Sequence, residues 1–513
     1  MELPVCLSTH TQMRIGSVSK QFTALAYLLL CEDGKATPED RLGKYFAKFK
    51  PIAKRVQMMQ LLGHTSGLRD ASDMRFRLGG LEGRPVAASE VLSLYEEIDD
   101  LDAEPGTTWI YNNGAYMILS TVVQMLADRP FGEFLKERIF SPLGMYDTVV
   151  RPWDTEFGSN SASPHTRVNE DRFERRYWGI EFGGAGSLSS TVDDLLRWLR
   201  HMECPRVGTP KTWTLMLTPQ SLLNGASTGY SCGLIRTRYR GVDVICHGGG
   251  WIGGNAQALK VPAYGLDVVV LSNRSDVFSP VLVHRILDEC LPDLSPLPDS
   301  DGSLEGSEGF SLYRVPHSQP AREYEHVQES SAKYLAGSFL SASSGRIVQL
   351  FARDGRQIVS VDGHDLPYDR INERQLAPIA IWSHVHRTVE LLGDARQPSA
   401  LRLMDFGETD LFDLLQEAAV FEPRAILGLY RETATRAGAA FYLGQEGPRL
   451  NIESRFGSVE YTVRALTALV FRITSASSGF LDAIITFTPT YDAFYLSSYN
   501  VKRLWFRRVA ETK

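Results

Sequence analysis

The chain has 513 residues, 43% of them hydrophobic and 22% charged, with a formal net charge of −7. That balance belongs to a folded protein of several domains and excludes a disordered or collagen-like chain. Lys and Arg are scattered, so no basic surface for nucleic acid or anionic lipid is indicated, and the apolar stretch at 24–31 is too short to span a bilayer.

The N-terminus, Met1-Glu2-Leu3-Pro4, has no basic or apolar leader region, which at face value gives a cytoplasmic protein. Phe22, Leu25, Ala26, Leu29 and Leu30 recur at helical spacing and stop at Gly34, a residue suited to the position just past a helix end. A second helix is expected over 115–128, closed by Pro130. Val242, Val244 and Cys246 alternate as in a strand; 266–271 is a continuous apolar run of the kind found in buried strands; 281–290 is helical again. Residues 1–291 therefore read as one layered α/β domain. The stretch 292–309 carries Asp293, Asp299, Asp301, Glu305 and Glu308 and no basic residue, so 292–325 is expected to be a linker.

Beyond it the pattern becomes short alternating runs broken by Gly, as around Asp354-Gly355, which is hairpin grammar. Leu335-Ala336-Gly337-Ser338-Phe339 has a counterpart in Ile426-Leu427-Gly428-Leu429-Tyr430. Two similar small β-domains follow, over 326–418 and 419–513, and closed antiparallel barrels would leave them no open edges. Six cysteines without any C-x-x-C read as buried reduced thiols.

Three motifs carry chemistry. Ser17-Val18-Ser19-Lys20 at a helix start puts an amine one turn from a hydroxyl, where a desolvated lysine can take the serine proton. The pattern alone is weak, because Ser330-Ser331-Ala332-Lys333 repeats it without a helix behind it. Tyr111-Asn112-Asn113 can present a phenol and an amide from a loop, although a capped turn is the plainer reading. His247-Gly248-Gly249-Gly250 ends a strand where glycines permit close approach of a substrate backbone, although a strand exit with an incidental His is as ordinary. Two decoys are set aside. Gly225-Ala226-Ser227-Thr228-Gly229 fits G-x-S-x-G but precedes a strand rather than a helix, and His384-Val385-His386 has no third metal ligand nearby.

In this order the motifs resemble the penicillin-recognising serine hydrolases: class C β-lactamases, DD-peptidases, family VIII-type esterases and D-aminopeptidases. Gly63-His64-Thr65-Ser66-Gly67-Leu68, Pro105-Gly106, Pro142-Leu143-Gly144-Met145 and Gly184-Ala185-Gly186-Ser187-Leu188-Ser189-Ser190-Thr191 agree with that family over the first 290 or so residues. The resemblance implies a β-lactamase/transpeptidase-like domain, an antiparallel sheet flanked by helices. It puts Ser17 at the nucleophile, Lys20 at its base, Tyr111 and Asn113 in the second motif, and His247 with Gly249 in the third. The backbone N–H groups of Ser17 and Gly250 fall on the oxyanion hole.

His in place of the usual Lys argues against a true β-lactamase. Together with two C-terminal barrels it is similar to D-aminopeptidases, which act on small peptides, amides or esters without metal or organic cofactor. A homodimer is compatible with this reading. An esterase or DD-carboxypeptidase would use the same residues, and a non-catalytic penicillin-binding protein is the alternative of another class.

Two departures are expected to matter. Only sixteen residues precede Ser17. Relatives place a helix and two core strands there, so an unpaired sheet edge is expected and the cytoplasmic assignment weakens. The loop implied to select a free amine, Thr474, Ser475, Ala476, Ser477, Ser478 and Gly479, carries no carboxylate to pair with an ammonium.

Overall fold

The structure is a computed structural model and describes residues 5–80, 84–156, 158–168, 172–277, 279–292, 294, 334–353, 356–362, 364–378, 387–405, 408–415, 422–475, 482–498 and 500–509. At the centre of the first part lies helix Ser19–Glu32, in which every residue from Ser19 to Leu30 is buried. It stops where the spacing predicts, at Asp33, with Gly34 in the left-handed region at φ 70°. Helix Asn113–Ala127 packs against it and ends at Asp128, itself left-handed at φ 53°. It starts two residues before the expected point because Asn112 caps it, accepting the Ala115 N–H at 2.9 Å.

A four-stranded antiparallel sheet runs in the order Ile235–Tyr239, Val242–Trp251, Gly254–Val261, Leu266–Ser272. Helix Ser279–Cys290 covers one face through Val283 and Leu287, which meet Val244, Leu259 and Val268. A small sheet of Met13–Arg14, Leu188–Ser190 and Val149–Val150 fixes the approach to Ser17, with Arg14 opposite Ser189. This is the β-lactamase/transpeptidase-like arrangement the motifs implied. One expectation is corrected: within Leu266–Ser272 only Val268 is buried. The strand pairs with Gly254–Val261, and its other edge has no strand partner among the described residues.

The remainder holds two closed barrels of eight antiparallel strands each. The first runs from 337 to 414 and closes by pairing Phe339 with Leu414; the second runs from 428 to 508 and closes by pairing Tyr430 with Arg508. The two counterpart segments open them equivalently, with Gly337 and Gly428 at positive φ and the side chains two residues on, Phe339 and Tyr430, buried inside. Arg353 pairs with Arg356 in the ladder between Ile347–Arg353 and Arg356–Val361, while Asp354 and Gly355 lie outside the described residues. The linker is described only at 292 and 294, and Ser330–Lys333 and His384–His386 fall outside the described residues. Among the described residues no helix is long and apolar enough to cross a membrane.

Candidate active site

Ser17 sits in the tight turn Gly16–Val18 that feeds helix Ser19–Glu32. Gly16 has φ 49°, and a Cβ there would lie 2.6 Å from the Gly250 carbonyl. A Cβ on Gly249 would lie 1.9 Å from the Ile15 carbonyl and 3.1 Å from the Ser17 nitrogen. Glycines at both places let strand Val242–Trp251 press backbone to backbone against the Ser17 turn. That strand pairs with Ile235–Tyr239 only as far as Cys246, so from His247 onward the ladder continues on the Gly254–Val261 side alone.

Lys20, one helical turn beyond Ser17, is completely buried. Its Nζ lies 3.1 Å from Ser17 Oγ, 2.8 Å from Asn113 Oδ1 and 2.8 Å from the Ala185 carbonyl. The last two partners can only accept, so they take N–H hydrogens. The third direction, toward Ser17, is left for the lone pair once the amine is neutral. Burial brings the Lys20 amine down to about 7, with the Asp70 charge opposing. The Tyr111 phenol, beside the Ser17 hydroxyl, is pushed far above the ordinary tyrosine range by burial and so stays protonated at neutral pH. The Lys20 nitrogen is 4.8 Å from the Tyr111 ring centroid.

His247 is held at both nitrogens. Its Nδ1 lies 2.6 Å from the Gly248 carbonyl and its Nε2 lies 3.0 Å from the Tyr230 hydroxyl. A carbonyl cannot donate, so this network puts the proton on Nδ1 and makes Nε2 the acceptor from Tyr230. His64 is the converse case: its Nδ1 accepts the Asn112 N–H at 3.1 Å, which puts its proton on Nε2. Burial holds His64 well below the ordinary imidazole range, hence neutral, with ring centroids of Tyr111 and Tyr230 at 4.3 and 4.7 Å.

The structure thus brings Ser17, Lys20, Asn113 and Tyr111 into one cluster, with Gly249 and Gly250 along its edge and His247 at the side, its Tyr111 centroid distance being 6.3 Å. Sequence reasoning missed Tyr230, the Ala185 carbonyl and Asp70. Asp70 had one signal: it follows Gly67-Leu68-Arg69 directly before a helix, an N-cap position. Ser227 is exposed on a loop, as its decoy reading required. The expected loop at 474–479 is corrected at its start. Thr474 and Ser475 belong to strand Val470–Ser475, paired with Thr462 and Tyr461, because the ladder with Gly457–Ala465 continues through them. Ala476, Ser477, Ser478 and Gly479 lie outside the described residues.

Residues 6–289 match the Beta-lactamase family model. The chain belongs to this family. Among curated relatives it is 26% identical over 277 residues to the D-aminopeptidase of Gluconobacter oxydans, covering 53% of this chain and 51% of that protein. It is also 26% identical over 285 residues to penicillin-binding protein 4* of Bacillus subtilis, covering 53% of this chain and 62% of that one. The chain spans about half the length of the curated relatives it matches. An octameric penicillin-binding protein homologue from Pyrococcus abyssi shares its fold, with a TM-score of 0.51 at 19% identity over 79% of this chain and 89% of the homologue.

Proposed function

We propose that this family member is a serine hydrolase working through an acyl-enzyme, of the D-aminopeptidase type, that releases N-terminal D-amino acids from small peptides or amides. The observation that carries the reading is the buried Lys20 amine, poised between Ser17 and Asn113 with its proton affinity lowered to about 7. Ser17 Oγ attacks the substrate carbonyl carbon as its proton passes to Lys20. The oxyanion is received by the backbone N–H groups of Ser17 and Gly250. Collapse breaks the C–N bond as Tyr111 donates its proton to the leaving amine, and the Lys20 ammonium restores the phenol. Water then attacks the ester, with its proton taken by the same groups in reverse. Asn113 holds the lysine and the substrate amide, and His247, fixed by Tyr230, borders the strand edge on which the substrate backbone lies.

One observation favours an esterase as the second reading. The 474–479 segment has no carboxylate, and the neighbouring Asp482 pairs with Arg472 at 3.3 Å, so neither supplies a free counter-ion for a substrate ammonium. The test is labelling of Ser17 by a fluorophosphonate, with Ser17→Ala as control. It is accompanied by turnover of D-alanine p-nitroanilide, its N-acetylated form and a short p-nitrophenyl ester. Preference for the free-amine anilide supports the aminopeptidase, and ester turnover alone supports the esterase. Labelling without turnover of any of them points to a non-catalytic binding protein. Labelling that survives Ser17→Ala sinks the nucleophile assignment.

A further inference from the structure

Helix Ala71–Gly79 reads Ala-Ser-Asp-Met-Arg-Phe-Arg-Leu-Gly, yet all nine residues are buried. Its N-cap is Asp70, which is itself fully buried. Asp70 Oδ1 accepts the Ser72 N–H at 3.0 Å and the Gly114 N–H at 3.0 Å, and Oδ2 accepts the Asn113 N–H at 3.1 Å. One carboxylate therefore closes the N-termini of two helices, its own and Asn113–Ala127, and both helix dipoles favour a negative charge there. Asn113 is the residue whose side chain takes a hydrogen from Lys20.

The far side of this short helix belongs to the second barrel. Asp73 Oδ2 accepts Arg77 Nε at 2.7 Å and the Ser498 hydroxyl at 3.1 Å. Arg77 Nη1 donates to the Asp482 carbonyl at 3.0 Å, and the Tyr461 hydroxyl donates to the Arg77 carbonyl at 3.1 Å. A Cβ on Gly79 would lie 2.6 Å from Phe456 Cβ. Arg69, immediately before Asp70, pairs with Asp100 and Asp102 at 2.7 Å each and donates to the Lys502 carbonyl. The barrel thus grips the chain on both sides of Asp70.

We propose that Asp70 is a positioning residue for the acylation step: its carboxylate ties the Asn113 turn to the Lys20 base, and the second barrel, through helix Ala71–Gly79, sets where that carboxylate stands. This rests on the acyl-enzyme reading of Ser17 and Lys20. The charged and titratable groups around the tie are Lys20 from helix Ser19–Glu32, Asp73 and Arg77 from the capped helix, Arg69 before it, Tyr95 from the turn Ser93–Glu96, and Tyr111 and His64 from the cleft wall. Burial raises the Asp70 carboxyl to about 6, and above that pH it carries the charge that opposes proton loss from Lys20.

The sign follows. A negative charge near an ammonium stabilises it, so removing the Asp70 charge lets Lys20 lose its proton at lower pH.

The experiment is the rate of Ser17 labelling by a fluorophosphonate against pH, for the wild-type chain, Asp70→Asn and Asp70→Ser. The serine variant keeps a helix cap without the charge, in case the asparagine variant does not fold. Both should lower the plateau rate, and the midpoint of the acid limb should fall by about one pH unit. A part in folding alone would lower the plateau and leave the midpoint where it is. The double variant Ser498→Ala/Tyr461→Phe keeps the Asp70 charge; its plateau should fall about threefold or more with the midpoint unmoved.

Midpoints of both Asp70 variants equal to wild type would overturn the role of Asp70. A double variant labelled at the wild-type rate would overturn the role of the barrel. A wild-type chain that takes no label sinks the serine-hydrolase reading itself, and this inference with it, which separates the two failures.

Discussion

The two barrels share a strand count, a closure and an opening segment, but they are attached to the molecule in different ways. The first keeps its core to itself: Phe339, Leu350, Val389, Leu401 and Phe412 form a cluster without any residue of the catalytic domain. It meets the second barrel through Ile347 against Val470 and Ile484, the Arg472–Gln349 hydrogen bond at 3.0 Å, and an Arg503 contact to the Ala342 carbonyl. In the second barrel Tyr430, Phe441, Phe456, Tyr461 and Phe494 belong to one continuous cluster with Phe22, Leu25 and Trp198 of the catalytic domain. A repeated architecture need not mean a repeated role. The second barrel completes the catalytic domain's core, whereas the first is appended to the second.

The largest effect should come from taking the second barrel away. Ending the chain after Leu427 exposes helix Ala71–Gly79 and strips Phe456, Val459 and Tyr461 from the shared core. At about 1.5–3 kcal/mol for each large apolar side chain, that loss rivals the ~5–15 kcal/mol that holds a typical domain together. The expected result is loss of cooperative melting and a fall in Ser17 labelling of at least about a hundredfold, 1.4 kcal/mol being tenfold. Replacing 337–414 by a flexible linker should leave labelling within about threefold of wild type, because none of its described residues is a partner of Ser17 or Lys20. Equal effects of the two deletions would break the comparison.

Single residues sharpen it. Phe456→Ala and Phe412→Ala each empty a fully packed site, at a cost of roughly 3–5 kcal/mol. Both should lower the melting transition of the part they sit in. Turnover should fall in Phe456→Ala, whose side chain belongs to the core shared with helix Ser19–Glu32. It should be unchanged in Phe412→Ala, which lies in the self-contained core. Steady-state kinetics at a temperature where both variants are folded would decide between these outcomes.

What could be read in the sequence follows the same division. Helix Ser19–Glu32 and the barrel hairpins declare themselves because their apolar spacing is local, and the three motifs implied a cluster that the fold assembles across 93 residues at Lys20–Asn113. Helix Ala71–Gly79 could not be read as buried. Asp73, Arg75 and Arg77 look like a solvated face, and their burial depends on Tyr461, Asp482 and Ser498, some 400 residues away, as the Asp73–Ser498 separation of 425 illustrates. Tyr230 was hidden for a similar reason: nothing in its local pattern announces that its hydroxyl meets His247. The half-exposed strand Leu266–Ser272 misled because an apolar run is buried only if a neighbour covers it.

The pH dependence of acylation offers a third comparison. In the proposed mechanism Lys20 accepts the serine proton only when neutral, and burial brings its amine down to about 7. Below that point the neutral fraction, and with it the labelling rate, should fall about tenfold per pH unit. Tyr111 is held protonated well above the ordinary tyrosine range, so no loss from its ionisation is expected up to pH ~10. Phe412→Ala should share the wild-type midpoint, since no described residue of the first barrel is a partner of Lys20. A displaced midpoint in that variant would mean that the first barrel also reaches the site.

The smallest effect tests how lightly the first barrel is held. Gln349 Oε1 accepts from Arg472 Nη1, while Arg472 Nη2 pairs with Asp482 at 3.3 Å. Gln349→Ala removes an acceptor but leaves the guanidinium with its carboxylate, so no buried charge is stranded. Its cost should then be the net worth of one hydrogen bond, about 1 kcal/mol, rather than the larger penalty of an orphaned ion. Calorimetry should give a lowered transition of about 2–4 °C for a unit of this size, confined to the barrels, with labelling of Ser17 untouched. Loss of labelling would show that the polar contact between the barrels is transmitted through Arg472 and Asp482 to Arg77, whose Nη1 rests on the Asp482 carbonyl, and that the first barrel is part of the catalytic unit after all.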